Sequence, residues 1–338
     1  MGLWMHPNVA QLDLPEGYGG PFITLGDGSL MTVRGNSTQT STDMGVTWTA
    51  PRQIYTGEKP GLPNPGVLLR TREGAIVLVY IDKSTFSWGW DDQVGAPVDG
   101  IRSDVWSIRS PDDGKTWFNR QRILEGYCGA LINMIETERG PIVVGVQMML
   151  DEPARHGQKS LVSYDQGKTW SPSHVIDLGG HGHHDGAMEG TVVELKDRRL
   201  WMLVRTNWDR FWSAFSTDYG ESWRSYGPSE IEASSSPGRL LRLASGRLVL
   251  AWNRLYAEGA DSGPRQSGQY SEDEASWHRE ELSIAFSDDE GKSWGAPTVV
   301  ARSDEWISYP YLFESTPGEL WVLACGFRGL VKESDFSG

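Results

Sequence analysis

Arg34, Arg205, Arg254, Arg279 and Arg328 each stand at or near an end of a short apolar run, and so do Asp82, Glu189 and Tyr309. These residue types share a chemistry. A planar guanidinium grips a carboxylate through a bidentate fork and stays charged at any working pH. Carboxylates and imidazoles move protons. A phenol, with an ordinary pKa of about 10, is a poor nucleophile unless a neighbouring carboxylate takes its proton. The run His181-Gly-His183-His184-Asp185 adds groups that suit either proton transfer or a divalent metal, against the plainer reading of a solvated turn. No second ligand pair matches it, so the expectation is an acid/base group such as His184 or Asp185, with no metal and no cofactor.

The background charge sharpens the significance of the arginines. With 31 Lys and Arg against 45 Asp and Glu, the net charge is −14. A general nucleic-acid or anionic-membrane surface would need clustered cations, so neither partner is expected. An anion site must then be a local pocket of arginines. Cys128 and Cys325 are too few for a disulfide framework and read as buried free thiols, with a single bridge as the alternative. The first ten residues hold no basic segment followed by an apolar run, which suggests a cytoplasmic protein or a trimmed mature form.

What must position these groups is a repeat. The pattern Ser-x-Asp-x-Gly-x-Thr/Ser-Trp occurs at Ser41, Ser110, Ser163, Ser216 and Ser287, at intervals of 53 to 71 residues. Ser and Asp bond turn amides, Gly accepts positive φ, and Thr or Ser is expected to start the following strand. Six strand-turn-strand units lie between and beyond these boxes, with turns at Asp27-Gly28, Glu73-Gly74, Arg139-Gly140, Asp197-Arg198, Ser245-Gly246 and Pro317-Gly318. Two strands, a third, the box and a fourth make a four-stranded unit. Repeated six times, the unit predicts an all-β, six-bladed propeller forming one domain over residues 1–338. The sixth hairpin has no box, and the segment around Val9 to Leu14 is expected to supply its outer strand and close the ring.

In such a ring, the start of each inner strand and the end of the next open on one face. That rule gathers Arg34, Asp82, Arg102, Asp104, His183, His184, Asp185, Glu189, Arg205, Arg239, Arg254, Arg279, Tyr309 and Arg328 around the channel. Two long intervals, Asp82 to Ser103 and Asn253 to His278, are placed as loops on a rim. Trp88, Trp90, Trp208, Trp212 and Trp277 are candidates to stack on sugars, although most tryptophans here should wedge between blades.

The boxes resemble those of the sialidases, or neuraminidases, and three further segments are similar to that family's active-site segments: Glu189 to Arg205, Arg279 to Ser287, and Tyr309-Pro-Tyr-Leu. The resemblance implies an exo-acting glycoside hydrolase for a terminal, carboxylated sugar. Tyr309 would be the nucleophile, as the family is an exception to the two-carboxylate scheme. Glu189 would be its base, and Arg205 and Arg279 the carboxylate clamps. Two departures stand out. Gly19-Gly20-Pro21 replaces the family's Arg-Ile-Pro, leaving Arg34, Arg254 or Arg328 to make up the cluster. Arg34 to Thr42 contains no carboxylate where the family's acid aspartate belongs, leaving Asp82, Asp185 or a histidine as proton donor. A lyase acting on uronic-acid polymers and a non-catalytic glycan-binding propeller are the alternatives.

Overall fold

The five boxes are closed by their own side chains. In the first, Ser41 Oγ donates to Asp43 Oδ1 (2.8 Å) and accepts from the Gly45 amide (2.8 Å), while Asp43 accepts from the Thr47 amide (2.9 Å) and hydroxyl (2.5 Å). The same bonds recur in the boxes ending at Trp117, Trp170, Trp223 and Trp294. The Thr or Ser position therefore completes the turn instead of opening a strand: its hydroxyl has the box Asp as partner. These bonds hold the Asp43 carboxyl at about 2, chiefly through the Thr47 hydroxyl, and the Asp289 carboxyl at about 2 through Ser293.

The box glycine has a second use. A Cβ on Gly114 would strike Met31, on Gly167 Val77, on Gly220 Val143, on Gly291 Trp201 and on Gly45 Trp321. Each of those partners lies on the second strand of the preceding unit, so every box is a peg seated against its neighbour.

The computed structural model describes residues 2–55, 66–268 and 271–336. Its strands form six antiparallel blades around a channel. Blade 1 is Phe22–Thr24, Leu30–Arg34, Ser37–Ser41 and Arg52–Gln53; blade 2 is Val67–Arg70, Ile76–Ile81, Val105–Ser110 and Phe118–Leu124. Blade 3 comprises Met134–Glu136, Ile142–Leu150, Arg155–Ser163 and Ser171–Pro172, and blade 4 Gly190–Glu194, Leu200–Val204, Arg210–Ser216 and Ser225–Glu232. Blade 5 is Arg239–Arg242, Leu248–Trp252, Glu281–Ser287 and Thr298–Arg302, and blade 6 is Tyr311–Thr316, Glu319–Ala324, Phe327–Lys332 and Val9–Gln11.

Ring closure follows the sequence expectation, with Val9 paired to Val331 and Gln11 to Gly329. Several strands were not foreseen: the two long intervals are not plain loops but carry two-stranded hairpins, Trp90–Asp91 with Ala96–Pro97 and Arg265–Gly268 with Ser271–Ser276. Trp4–Met5 adds to the edge of blade 5 by pairing with Arg302 and Ala301. Cys325 is exposed rather than buried, and both thiols are free.

The core is distributed between blades. Ile23, Met31 and Val33 of blade 1 pack against Ile76, Leu78 and Tyr80 of blade 2, and five similar clusters continue around the ring to Phe22 and Trp321 at the blade 1–blade 6 seam. The central hairpins are apolar on both faces, as Ile76–Ile81 is, because each blade is covered on both sides.

Candidate functional site

Glu189 and Arg205 flank the end of one ladder. Gly190 pairs with Val204 in the blade 4 hairpin, so the residue before the first strand and the residue after the second meet at the same rim. Arg205 Nη1 donates to Glu189 Oε2 at 2.6 Å, with side chains only 2% and 7% exposed. The opposite edge of the Arg205 fork donates to Ser235 Oγ, at 3.2 Å from Nε and 2.9 Å from Nη2. Ser235 comes from the segment entering blade 5, and its carbonyl accepts from Arg279 Nη2 at 2.6 Å.

Tyr309, at the entry to blade 6, completes the group. Its hydroxyl donates to Glu189 Oε1 at 2.9 Å, so one carboxylate bridges a phenol and a guanidinium. Tyr309 has a left-handed backbone, φ 58°, which is costly for an aromatic residue. The residue as a whole is nevertheless 44% exposed. Arg279 lies between the Trp277 and Trp306 rings, with its Cζ 4.3 and 4.9 Å from their centroids, and 5.7 Å from the Tyr309 ring.

The electrostatics follow from this packing. The Glu189 anion, and then burial, raise the Tyr309 pKa, while Arg205 and Arg279 oppose the rise; the phenol rests protonated at neutral pH. Burial alone would lower Arg205, but Glu189 and Tyr309 hold it above its ordinary value. Burial and the neighbouring Arg205 pull Arg279 down to about 10, leaving it cationic at neutral pH.

Behind Glu189 stands a chain of buried polar groups that sequence reasoning missed. The Glu189 amide donates to Gln147 Oε1 (3.2 Å), Gln147 Nε2 lies 3.0 Å from His156 Nδ1, and His156 Nε2 lies 2.7 Å from the His183 carbonyl. Burial pushes His156 down to about 4, so it is neutral at working pH. Ser235 could have been found by the same rule as Glu189, since it lies just before an inner strand. Gln147 and His156 carry no such signal, because they lie on facing strands of one blade.

Other expected residues are placed differently. The His184 ring is 4.2 Å from that of His183 and 6.0 Å from Trp277. Burial, then His183 and Arg205, press its pKa down to about 2, so it is a neutral imidazole and not an imidazolium acid. The Asp185 carboxylate accepts from the His181 and Gly186 amides and shapes its own loop. Asp82 caps the short helix Lys83–Thr85 and pairs with Arg120 at 3.0 Å. Asp104 is held by Arg102 at 2.7 Å.

Three arginines are likewise employed away from Tyr309. Arg34 stacks on Tyr18, Cζ to centroid 4.2 Å. Arg328 donates to the Leu14 and Pro15 carbonyls, tying down the N-terminal segment. Arg254 lies within 3.8 Å of Glu281 and 3.9 Å of Glu258. Rim position gave the correct side of the ring, but the blades are wide there and these side chains serve outer strands and loops. Trp88 and Trp90 both stack on His183, at 4.9 and 5.2 Å, so the blade 2 insertion reaches the loop of blade 4. Among the described residues, no three His, Cys, Asp or Glu side chains converge as a metal site.

Six blades pegged by Asp-containing boxes, with polar groups gathered at the opposite rim, define a propeller of the sialidase-like superfamily. The BNR repeat-like domain matches residues 37–322, and the chain belongs to that family. It is 27% identical over 210 residues to a sialidase of Clostridium perfringens, covering 56% of this chain and 52% of that protein, so the chain spans about half the length of the curated relative it matches. The NanB sialidase of Streptococcus pneumoniae superposes with a TM-score of 0.61 at 12% identity, covering 99% of this chain and 70% of that one. An alpha-L-arabinanase of Penicillium chrysogenum superposes over 99% of both chains, with a TM-score of 0.58 and 14% identity.

Proposed function

We propose that the chain is an exo-acting glycoside hydrolase that cleaves a terminal, carboxylated sugar with retention of configuration. The observation that carries this reading is the chain Tyr309 Oη, Glu189 and Arg205, joined at 2.9 and 2.6 Å. Tyr309 Oη attacks the anomeric carbon as its proton passes to Glu189 Oε1, and the bond to the leaving group breaks with its electron pair going to the aglycone oxygen. A glycosyl-tyrosine forms. Water then attacks the same carbon, the bond to Tyr309 breaks, the phenolate regains its proton from Glu189, and the proton from water passes to solvent.

Arg205 and Arg279 favour the phenolate as it develops and create the positive field suited to an acid-bearing sugar. Asp82, Asp185 and Asp104 are committed to other groups, so the aglycone oxygen takes its proton from solvent, which favours substrates with acidic leaving groups. The relatives named sialidase and arabinanase support glycosidase chemistry on this fold. The experiment is turnover of aryl glycosides of sialic and uronic acids by the wild type and Tyr309→Phe. Turnover is expected in the wild type alone; equal rates in both would remove the nucleophile.

A further inference from the structure

A polar side chain is out of place in the blade 3 hairpin where that hairpin backs onto Glu189. Gln147 is the one polar side chain in Ile142–Leu150, whose other residues are apolar or glycine, and at 6% exposure it is buried beside His156 at 3%. An apolar pair would fill the same space without desolvating an amide and an imidazole, a cost that is offset only when every polar atom finds a partner. Room is kept for the amide: a Cβ on Gly129 would come within 2.8 Å of Gln147 Nε2.

The partners fix the polarity of the whole chain. The Glu189 amide lies just outside the blade 4 ladder, which starts at Gly190 and Val204. An amide N–H can only donate, so Gln147 must turn its carbonyl oxygen towards it, and Oε1 is the atom at 3.2 Å. The Gln147 NH2 group then faces His156 Nδ1 at 3.0 Å, which must be the bare nitrogen, and the ring proton sits on Nε2, 2.7 Å from the His183 carbonyl. The Met148 carbonyl, 3.2 Å from Nδ1, competes for a proton at that nitrogen, so the Gln147 amide and the His183 carbonyl together set the tautomer. Burial, which keeps His156 down at about 4, agrees with the neutral ring this order requires. The His156 backbone also grips the loop leading to Glu189: its amide donates to the Asp185 carbonyl at 2.8 Å, and its carbonyl accepts from the Ala187 amide at 2.9 Å.

We propose that Gln147 and His156 are positioning residues that fix the main chain at Glu189 and so hold its carboxylate between Tyr309 and Arg205, with His156 deciding which end of the Gln147 amide faces Glu189. The inference rests on the glycosidase reading and adds to it the groups that keep the base in register with the nucleophile. Glu189 Oε1 receives the phenol proton across 2.9 Å, and a misplacement of about 1 Å at such a contact costs about 10²-fold in rate. Both residues act through Glu189, so their effect falls on kcat and spares KM.

The test is turnover of aryl glycosides of sialic and uronic acids by the wild type, Gln147→Met, His156→Phe, the double variant and Gln147→Glu, each assayed well below its melting midpoint. Both single apolar substitutions should lower kcat by about 10- to 10²-fold with KM within about twofold of the wild type, and the double variant should be no slower than the slower single, because the two residues act as one unit. Gln147→Glu keeps an oxygen towards the Glu189 amide and draws a proton onto His156 Nδ1, so it should recover most of the kcat that Gln147→Met loses. Should Gln147→Met fail to fold, His156→Phe decides, since it leaves the bond between Gln147 and Glu189 its two partners. Unchanged kcat in either single variant, losses that simply multiply in the double variant, or a Gln147→Glu no faster than Gln147→Met overturns the inference and leaves the glycosidase reading standing. Failure of both single variants to fold makes the pair a fold element and overturns it as well. A wild type without turnover overturns the glycosidase reading and the positioning role together.

Discussion

The two ends of each blade follow opposite rules. At the box end, Ser, Asp and Thr or Ser satisfy one another and the local amides, five times over, and the glycine seats against the preceding blade. At the rim holding Tyr309, a buried carboxylate is shared by a phenol and a guanidinium, two arginines crowd together, and Arg239 has no ion pair among the described residues. Polar groups at the first end hold the fold together. Those at the second set buried charges against one another in an open rim, which is where chemistry is expected.

The sharpest way to break this contrast is Tyr309→Phe, which should lower kcat by about 10³-fold or more while leaving the melting temperature nearly unchanged. A comparable fall in stability would make Tyr309 a structural residue. Glu189→Gln should fail in both respects. Removing the carboxylate leaves Arg205 buried and unpaired, at a cost of about 3–5 kcal/mol in urea unfolding, and activity falls by about 10²–10⁴-fold.

Ser163→Ala tests the other end. Its hydroxyl donates to Asp165 at 2.9 Å and accepts from the Gly167 amide at 2.8 Å, so the substitution should cost about 1–2 kcal/mol and leave kcat/KM unchanged. The smallest effect is that of mild acid. The box aspartates are depressed below their ordinary value of about 4, Asp43 and Asp289 to about 2. Their contribution is complete above pH ~4 and is lost as pH falls toward 2, because the unfolded chain then binds more protons. Tryptophan fluorescence should follow that loss, and Ser163→Ala should unfold at a higher pH than the wild type.

Much of the architecture was legible because its signals are local. The boxes and the six hairpin turns name their own backbone conformations, and the missing sixth box pointed to closure by the N-terminal segment. The adjacency of Glu189 and Arg205 could be read too, since a hairpin returns its ends to one place. Side-chain direction could not. Asp82 and Arg34 are on the expected rim, but Arg120 of an outer strand and Tyr18 of the N-terminal segment claim them, and no periodicity marks those partners. The strand Trp4–Met5 was invisible because two residues are too short for a pattern.

The seam between Val9–Gln11 and Phe327–Lys332 also governs how the molecule must be made. Residues separated by more than three hundred positions have to meet before the last blade is complete, a loop closure that is among the slowest kinds of contact to form. On the ribosome, the Val9–Gln11 strand waits unpaired until Phe327–Lys332 emerges. A chain interrupted late in synthesis therefore exposes two sticky borders at once, and conditions that slow translation should favour its aggregation.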